Sequence, residues 1–129
     1  MKDEPHGVWG VYTFANQDLY KGNFNHGFFH GKGIYAFSDG AIYTGDWNEG
    51  KKHGYGELRF NNGIIYKGSF EDDKQNGLGL LWLADGNLYQ GPFKDNKSVG
   101  LHIINYLATD DMAVAEYQND QAEGLFALR

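Results

Sequence analysis

The sequence predicts an all-β chain: an elongated, single-layer antiparallel β-meander, solenoid-like, built from about five hairpins of 23 residues. Three observations predict it. The 129 residues include 19 glycines beside 9 Tyr, 9 Phe and 3 Trp. Glycine is costly inside helices and aromatic side chains favour pleated, half-buried surfaces, so a helical bundle is excluded, and the aromatic content excludes a disordered chain. A repeat supplies the second observation. Tyr20, Tyr43, Tyr66 and Tyr89 lie 23 residues apart, each followed at the second position by a glycine (Gly22, Gly45, Gly68, Gly91) and then at the fourth by an aromatic residue (Phe24, Trp47, Phe70, Phe93). The third is a period of two within each unit, which sets Tyr20, Gly22 and Phe24 on one face and Lys21 and Asn23 on the other.

Along the single domain 1–129, a partial repeat over residues 6–19 supplies one strand near Gly10 to Phe14 and starts the chain inside a unit. Repeats follow over 20–42, 43–65, 66–88 and 89–112, each two short strands, such as Tyr20–Phe24 and Gly31–Phe37. A polar turn, for example Asn25 to His30, divides the two strands; a tight turn at Asp39-Gly40, Asn62-Gly63 or Asp85-Gly86, dipeptides suited to positive φ, divides the units. After Tyr106 the period slips by one residue and His102 replaces a glycine, so residues 113–129 read as a degenerate terminal cap. With strands ~4.8 Å apart, each unit lengthens the sheet by about 9.6 Å. The register expected across the Asp39-Gly40 turn pairs Phe37 with Tyr43, Tyr35 with Gly45 and Trp47 with Gly33. Each ring then covers a glycine, filling space and shielding backbone hydrogen bonds in place of a second layer.

Function classes narrow in the same way. Eleven Lys plus Arg against seventeen Asp plus Glu give a net charge of -6, which opposes phosphate-driven nucleic-acid binding and adsorption to anionic membranes. There is no cysteine, hence no disulfide, thiolate metal site or cysteine nucleophile. No apolar run approaches the ~20 residues of a membrane-spanning helix, and Met1 to His6 is polar, so the expectation is a soluble, cytoplasmic protein. His30 and His53 recur at one repeat position, but about 9.6 Å apart they are too distant to share a zinc ion, and no metal or cofactor is expected. Ser38, Ser69 and Ser98 lack His and Asp company, and the glycines lie between strands instead of opening a helix, so no catalytic residues are assigned.

The run Tyr43-x-Gly45-x-Trp47-x-x-Gly50-x-x-x-Gly54-x-Gly56, closed by Asn62-Gly63-x-x-Tyr66, resembles the membrane occupation and recognition nexus (MORN) repeat, clearly from Gly10 to Gly100 and more weakly to Gly124. Asp73 and Asn96 depart from it where Gly27 and Gly50 occupy the hairpin turn, and Pro92 removes a ladder donor, which is expected to weaken the third and fourth units. The resemblance implies a twisted antiparallel sheet with an aromatic groove. It also implies a place in ciliary or cytoskeletal scaffolds, in membrane junctions, or beside catalytic domains.

The expected partner-binding groove is the aromatic face: Tyr20, Tyr35, Tyr43, Trp47, Tyr66, Phe70, Tyr89 and Phe93. Tyr and Trp are favoured interface anchors, and a one-layer sheet must expose apolar surface, although the same rings could simply pack the sheet. Lys51, Lys52 and His53, read as part of a hairpin turn, form a candidate rim for anionic lipid, offset by Glu49, Asp72 and Asp73. The leading expectation is a non-catalytic scaffold or adaptor that clamps a partner helix or extended peptide in an intracellular assembly, ciliary or cytoskeletal by resemblance. The alternatives are a regulatory module of a multidomain enzyme, suggested by the start inside a repeat, and a phosphoinositide-binding plate with peripheral membrane contact. The first strand would expose an unpaired edge, open to a second copy or another subunit.

Overall fold

The computed structural model describes residues 8–127; the first residues of the expected partial repeat 6–19 and the last of the cap 113–129 lie outside them. Twelve strands and no helix make up the described residues. They form one open antiparallel sheet in which β1 (Val8–Thr13) is followed by five hairpins: β2 (Leu19–Asn25) with β3 (Phe28–Ala36), β4 (Ile42–Asn48) with β5 (Lys51–Arg59), β6 (Ile65–Glu71) with β7 (Lys74–Trp82), β8 (Leu88–Lys94) with β9 (Lys97–Ser98) and β10 (Gly100–Asn105), and β11 (Met112–Gln118) with β12 (Gln121–Ala127). Neighbours in sequence are neighbours in the sheet, except that β9 and β10 do not pair with each other and both pair with β8. Among the described residues nothing covers either face, so each repeat packs on the next.

Two connections alternate, and their roles differ from the sequence expectation. The two-residue turns lie within the hairpins. His26-Gly27, Glu49-Gly50, Asp72-Asp73, Asp95-Asn96 and Asn119-Asp120 each have positive φ at both residues, the mirror-image turn whose twist matches that of paired strands. The Asp-Gly connections between hairpins are longer. Phe37 N donates to Ala41 O at 2.9 Å and Gly40 N to Phe37 O at 3.0 Å, so Ser38, Asp39 and Gly40 all belong to the loop, with Gly40 alone of the pair Asp39-Gly40 left-handed at φ 103°. Asp39 contributes its carboxylate, which accepts from the Ala41 amide at 2.9 Å. Because those residues are loop, the register differs by two from the expected one: Tyr35 faces Tyr43, Gly33 faces Gly45 and Gly31 faces Trp47. An even shift leaves every side chain on its expected face.

The second strand of the hairpins carries a bulge. Gly22 pairs with Gly33 and Phe24 with Phe29, so Asn23 stands opposite His30, Gly31 and Lys32, and Gly31 adopts φ 79° to absorb the excess. Gly54, Gly77 and Gly100 repeat it. This is the structural reason for glycine at that repeat position. The strand split into β9 and β10 lies opposite Pro92, which has no amide hydrogen; there Val99 N reaches Pro92 O at 3.1 Å.

Asp73 and Asn96 strengthen the array where weakening was expected. Their positive φ suits Asp and Asn, and their side chains reach back one hairpin: Asp73 Oδ1 accepts from Lys52 N and Asn96 Oδ1 from Gln75 N, each at 2.8 Å. Backbone bonds run alongside, from Asp73 N to Lys52 O and from Asn96 N to Gln75 O, both 3.0 Å. Asp120 joins its hairpin tip to Ser98 in the same way.

The core is a single line of rings on one face. Tyr20, Tyr43 and Tyr66 are fully buried, each with its hydroxyl donating to a carbonyl three residues on, of Asn23, Asp46 and Ser69 at 2.8, 2.8 and 2.9 Å. Each ring lies over two facing glycines, Tyr43 over Gly45 and Gly56, so a Cβ built on Gly56 would come within 2.5 Å of Tyr43 Cε1 and Cζ. Rings over glycines thus replace a second layer as expected, with the tyrosine of the same hairpin supplying the ring. Edge-to-face contacts then carry the line across the repeats: Tyr20 to Trp47 (5.5 Å, 88°), Tyr43 to Phe70 (5.1 Å, 88°) and Tyr66 to Phe93 (5.1 Å, 85°). Such pairs contribute about 0.5–1.5 kcal/mol each beyond their burial. At the fourth hairpin the line changes chemistry. His102 takes the place of a glycine opposite Gly91, packs edge-on to Phe93 and Tyr117, and moves Tyr89 into a second cluster with Ile104, Ala113 and Ala115.

Candidate functional site

The eight residues expected to line the groove share one face. Tyr20 stands on β2, Tyr35 on β3, Tyr43 and Trp47 on β4, Tyr66 and Phe70 on β6, and Tyr89 and Phe93 on β8. Six of them are buried by the chain itself, Tyr20, Tyr43 and Tyr66 completely and Trp47, Phe70 and Phe93 at 6, 3 and 4 % exposure. Tyr35 and Tyr89 are half-buried. The aromatic set is therefore first the core of the sheet. Burial pushes the phenols of Tyr20 and Tyr35 up to about 12, and those of Tyr43 and Tyr66 higher still.

Surface on this face comes from the residues around that core. Between the connection carrying Phe60 and Asn62 and the hairpin tips at Asn96 and Asp120 lies a hollow of about 330 Å³, floored by Leu81 and Phe93. Phe60 is 37 % exposed at its rim. Side-chain amides and a carboxylate on the walls with apolar side chains beneath suit a peptide segment, which needs apolar contact and hydrogen-bond partners together. Tyr35 belongs to a different fixture: its hydroxyl donates to Asp18 Oδ2 at 2.7 Å while Ser38 N donates to Oδ1 at 2.7 Å, and these bonds hold the buried Asp18 carboxyl below the usual carboxylate range.

Lys51, Lys52 and His53 lie in strand β5 and not in a turn, because the turn is only Glu49-Gly50. Alternation separates them. Lys52 enters the aromatic face, its Nζ 5.7 Å from the centroid of Tyr43, 5.9 Å from those of Phe37 and Trp47, and 3.5 Å from Asp73 Oδ1. Lys51 is exposed and lines a hollow with Glu71, Asp72 and Asp95 and with a second lysine, Lys74. Among the described residues no three His, Asp or Glu side chains converge to hold a metal ion.

The opposite face holds the larger hollow, which the sequence reading did not single out. Over the glycine ladder Gly22, Gly33, Gly45 and Gly56 it opens to about 530 Å³ between Trp9, Ile34 and Tyr55, and it continues past Leu78 in a second section of about 350 Å³. Trp9, Tyr55 and Leu78 are 59, 58 and 72 % exposed. The signal was present in Gly54-Tyr55-Gly56, where the alternation that puts Gly56 on the core face must put Tyr55 on the other.

Residues 20–42, 43–65 and 66–88, three consecutive segments spanning just over half of the chain, match the family model of the MORN repeat. No curated protein matches the chain.

Proposed function

The chain belongs to the MORN repeat family, whose repeats imply a protein- or membrane-binding module, and from that premise we propose that it is a non-catalytic scaffold or adaptor whose aromatic face seats a helix or extended peptide of a partner protein. The observation that carries this reading is the hollow over Leu81 and Phe93, with Phe60 partly exposed at its rim and polar walls supplied by Asn62, Asn96 and Asp120. A buried aromatic line beneath it makes the floor rigid, which lowers the ordering cost of binding. The assembly it joins is an intracellular one, ciliary or cytoskeletal. Peptide is favoured over a phosphoinositide headgroup because the Lys52 ammonium is engaged with three rings and Asp73, and in the hollow that Lys51 shares with Lys74 three carboxylates, Glu71, Asp72 and Asp95, outnumber the two lysines.

The test is proximity labelling with the wild type beside Phe60→Glu, a rim change that leaves the buried rings in place. Near-ultraviolet circular dichroism first establishes that the variant keeps its aromatic packing. Specific neighbours found with the wild type are expected to be lost with Phe60→Glu, and an unchanged set of neighbours would sink the reading. Replacing Tyr43, Trp47 and Tyr66 with alanine is unsuited to this purpose, since each truncation of a buried ring costs about 3–5 kcal/mol and would unfold the sheet.

A further inference from the structure

The face opposite the aromatic core carries a groove whose spacing and charge single out one kind of occupant. Its floor is the backbone of the glycine ladder, and its walls are two rows of side chains that recur with every hairpin. Trp9, Lys32, Tyr55 and Leu78 stand in one row and Ile34, Glu57 and Leu80 in the other. Leu101 and Ile103 continue the two rows onto β10 at 60 and 39 % exposure. Trp9 stands on the edge strand β1, but β3, β5, β7 and β10 are interior strands, so the exposure of the others does not come from a sheet edge. Isolated exposed apolar residues are ordinary, but here β3, β5, β7 and β10 each present at least one apolar side chain in the two rows, with Lys32 and Glu57 interspersed, and such a strip marks an interaction surface.

Geometry selects the backbone of the occupant. The groove runs across the strands, and its wall positions recur every two strands, about 9.6 Å, with an apolar side chain in one row or the other at each step: Ile34, Tyr55, Leu78 with Leu80, and Leu101 with Ile103. Residues seven apart on an α-helix are about 10.5 Å apart and lie on one stripe, so a helix laid along the groove offers one anchor to each successive repeat. An extended segment advances about 3.3 Å per residue. Three residues would match the distance but would place alternate anchors on opposite sides, so an extended chain cannot follow the rows.

Charge selects the helix's flanks. Three lysines, Lys21, Lys32 and Lys67, line the main section of the groove with one glutamate, Glu57, in a chain whose net charge is -6. Lys21 is held 5.8 Å over the Trp9 ring, while Lys32 also pairs with Asp46 and Lys67 lies 3.7 Å from Glu57. Asp39, Glu49, Asp72, Asp73, Asp85 and Asp95 sit in connections and hairpin tips at the ends of the strands, away from this strip. A cationic partner is drawn to those ends, and an acidic one to the groove. A flat anionic bilayer would meet the protruding ends of the walls and leave the floor empty. We propose that this groove docks an acidic amphipathic α-helix of a partner protein, with large aliphatic side chains at seven-residue steps and Asp or Glu beside them.

The test is selection from a displayed library of helical peptides of about 20 residues, roughly 30 Å long, with the stripe and its flanks randomised and the full chain as bait. The expected result is enrichment of aliphatic residues seven apart flanked by Asp or Glu. A synthetic peptide of the selected sequence is expected to bind the wild type and to lose about tenfold in affinity or more with Leu78→Glu, and likewise with Lys21→Glu plus Lys67→Glu, the size of a central interface anchor. Phe60→Glu, on the other face, is expected to leave that affinity unchanged, which separates this site from the proposed aromatic-face site. Leu78 is largely exposed, so its variant keeps the fold. Enrichment of basic or extended sequences would overturn the proposal, as would affinity insensitive to Leu78→Glu. So would sedimentation with phosphatidylcholine and phosphatidylserine vesicles that Leu78→Glu abolishes.

Discussion

The smallest unit of stability in this chain is a tyrosine ring lying over two glycines, and each partner constrains the other. In the second hairpin, Gly56 approaches Tyr43 so closely that an added Cβ would fall 2.5 Å from two ring carbons, and both Gly45 and Gly56 are needed because their backbones also face each other. Gly56→Ala must therefore move the ring or part the strands, and overpacking of this kind costs about 1–3 kcal/mol. Tyr43→Phe leaves the ring and removes only the hydroxyl that donates to Asp46 O at 2.8 Å, with an expected loss of about 1 kcal/mol. Because ring carbons and not only the hydroxyl block the Cβ, the double variant should show no rescue. Urea unfolding of the four proteins checks this; a double variant as stable as Tyr43→Phe alone would mean that the ring has freedom the close approach denies.

Hairpins become an array through their tips, where a two-residue turn of one hairpin bonds to the strand of the one before. Asp73 serves twice: it accepts the left-handed φ of 72°, and its carboxylate receives the Lys52 amide at 2.8 Å. Asp73→Asn keeps both properties and should change stability by less than about 0.5 kcal/mol. Asp73→Ala loses the bond and adds left-handed strain, for an expected cost of about 2 kcal/mol or more, while Asp73→Gly removes the strain but not the loss and should fall between them. Equal stability of the Ala and Gly variants in thermal unfolding would refute the strain component. These tips also mark the limit of what the sequence discloses. Period, sheet and face assignment were legible, because alternation and a 23-residue repeat have few structural solutions, and so was the covering of glycines by rings, but not which ring covers which glycine, since Tyr43 and not Tyr35 lies over Gly45. The register was not, since Ser38 to Gly40 and His26-Gly27 read equally as turns, and only backbone hydrogen bonding shows which is the shorter loop. The aromatic face was legible as a set of residues, but the division into buried floor and exposed rim depends on how far Phe60, Leu81 and the tips close over it.

Across the whole molecule the rings form one connected line, from Phe24 through Tyr20, Trp47, Tyr43, Phe70, Tyr66 and Phe93 to His102 and Tyr117, and this gives the sheet a shared sensitivity to alkali. A phenol loses its proton at about pH 10 in an unfolded chain. In the folded chain burial raises Tyr20 and Tyr35 to about 12 and Tyr43 and Tyr66 further. The folded state therefore binds more protons than the unfolded state above about pH 10, and stability must fall as pH rises. Below about pH 10 the contribution of these groups is fully present, and it is lost as pH climbs from there through the raised folded values. Because each buried tyrosine touches the ring of the next repeat, ionisation of one removes support from its neighbours, and nearest-neighbour coupling of this kind spreads the loss along the array. The expected outcome is alkaline unfolding above pH 10 in which the ultraviolet signal of phenolate and the loss of β-sheet ellipticity coincide. Tyr66→Phe, which cannot ionise, should be less stable than the wild type near neutrality through the lost bond to Ser69 O, yet lose less stability per pH step above 10. Phenolate appearing well before the sheet is lost would show that the buried tyrosines ionise inside a folded chain, and the rings would then not be the continuous support that their contacts describe.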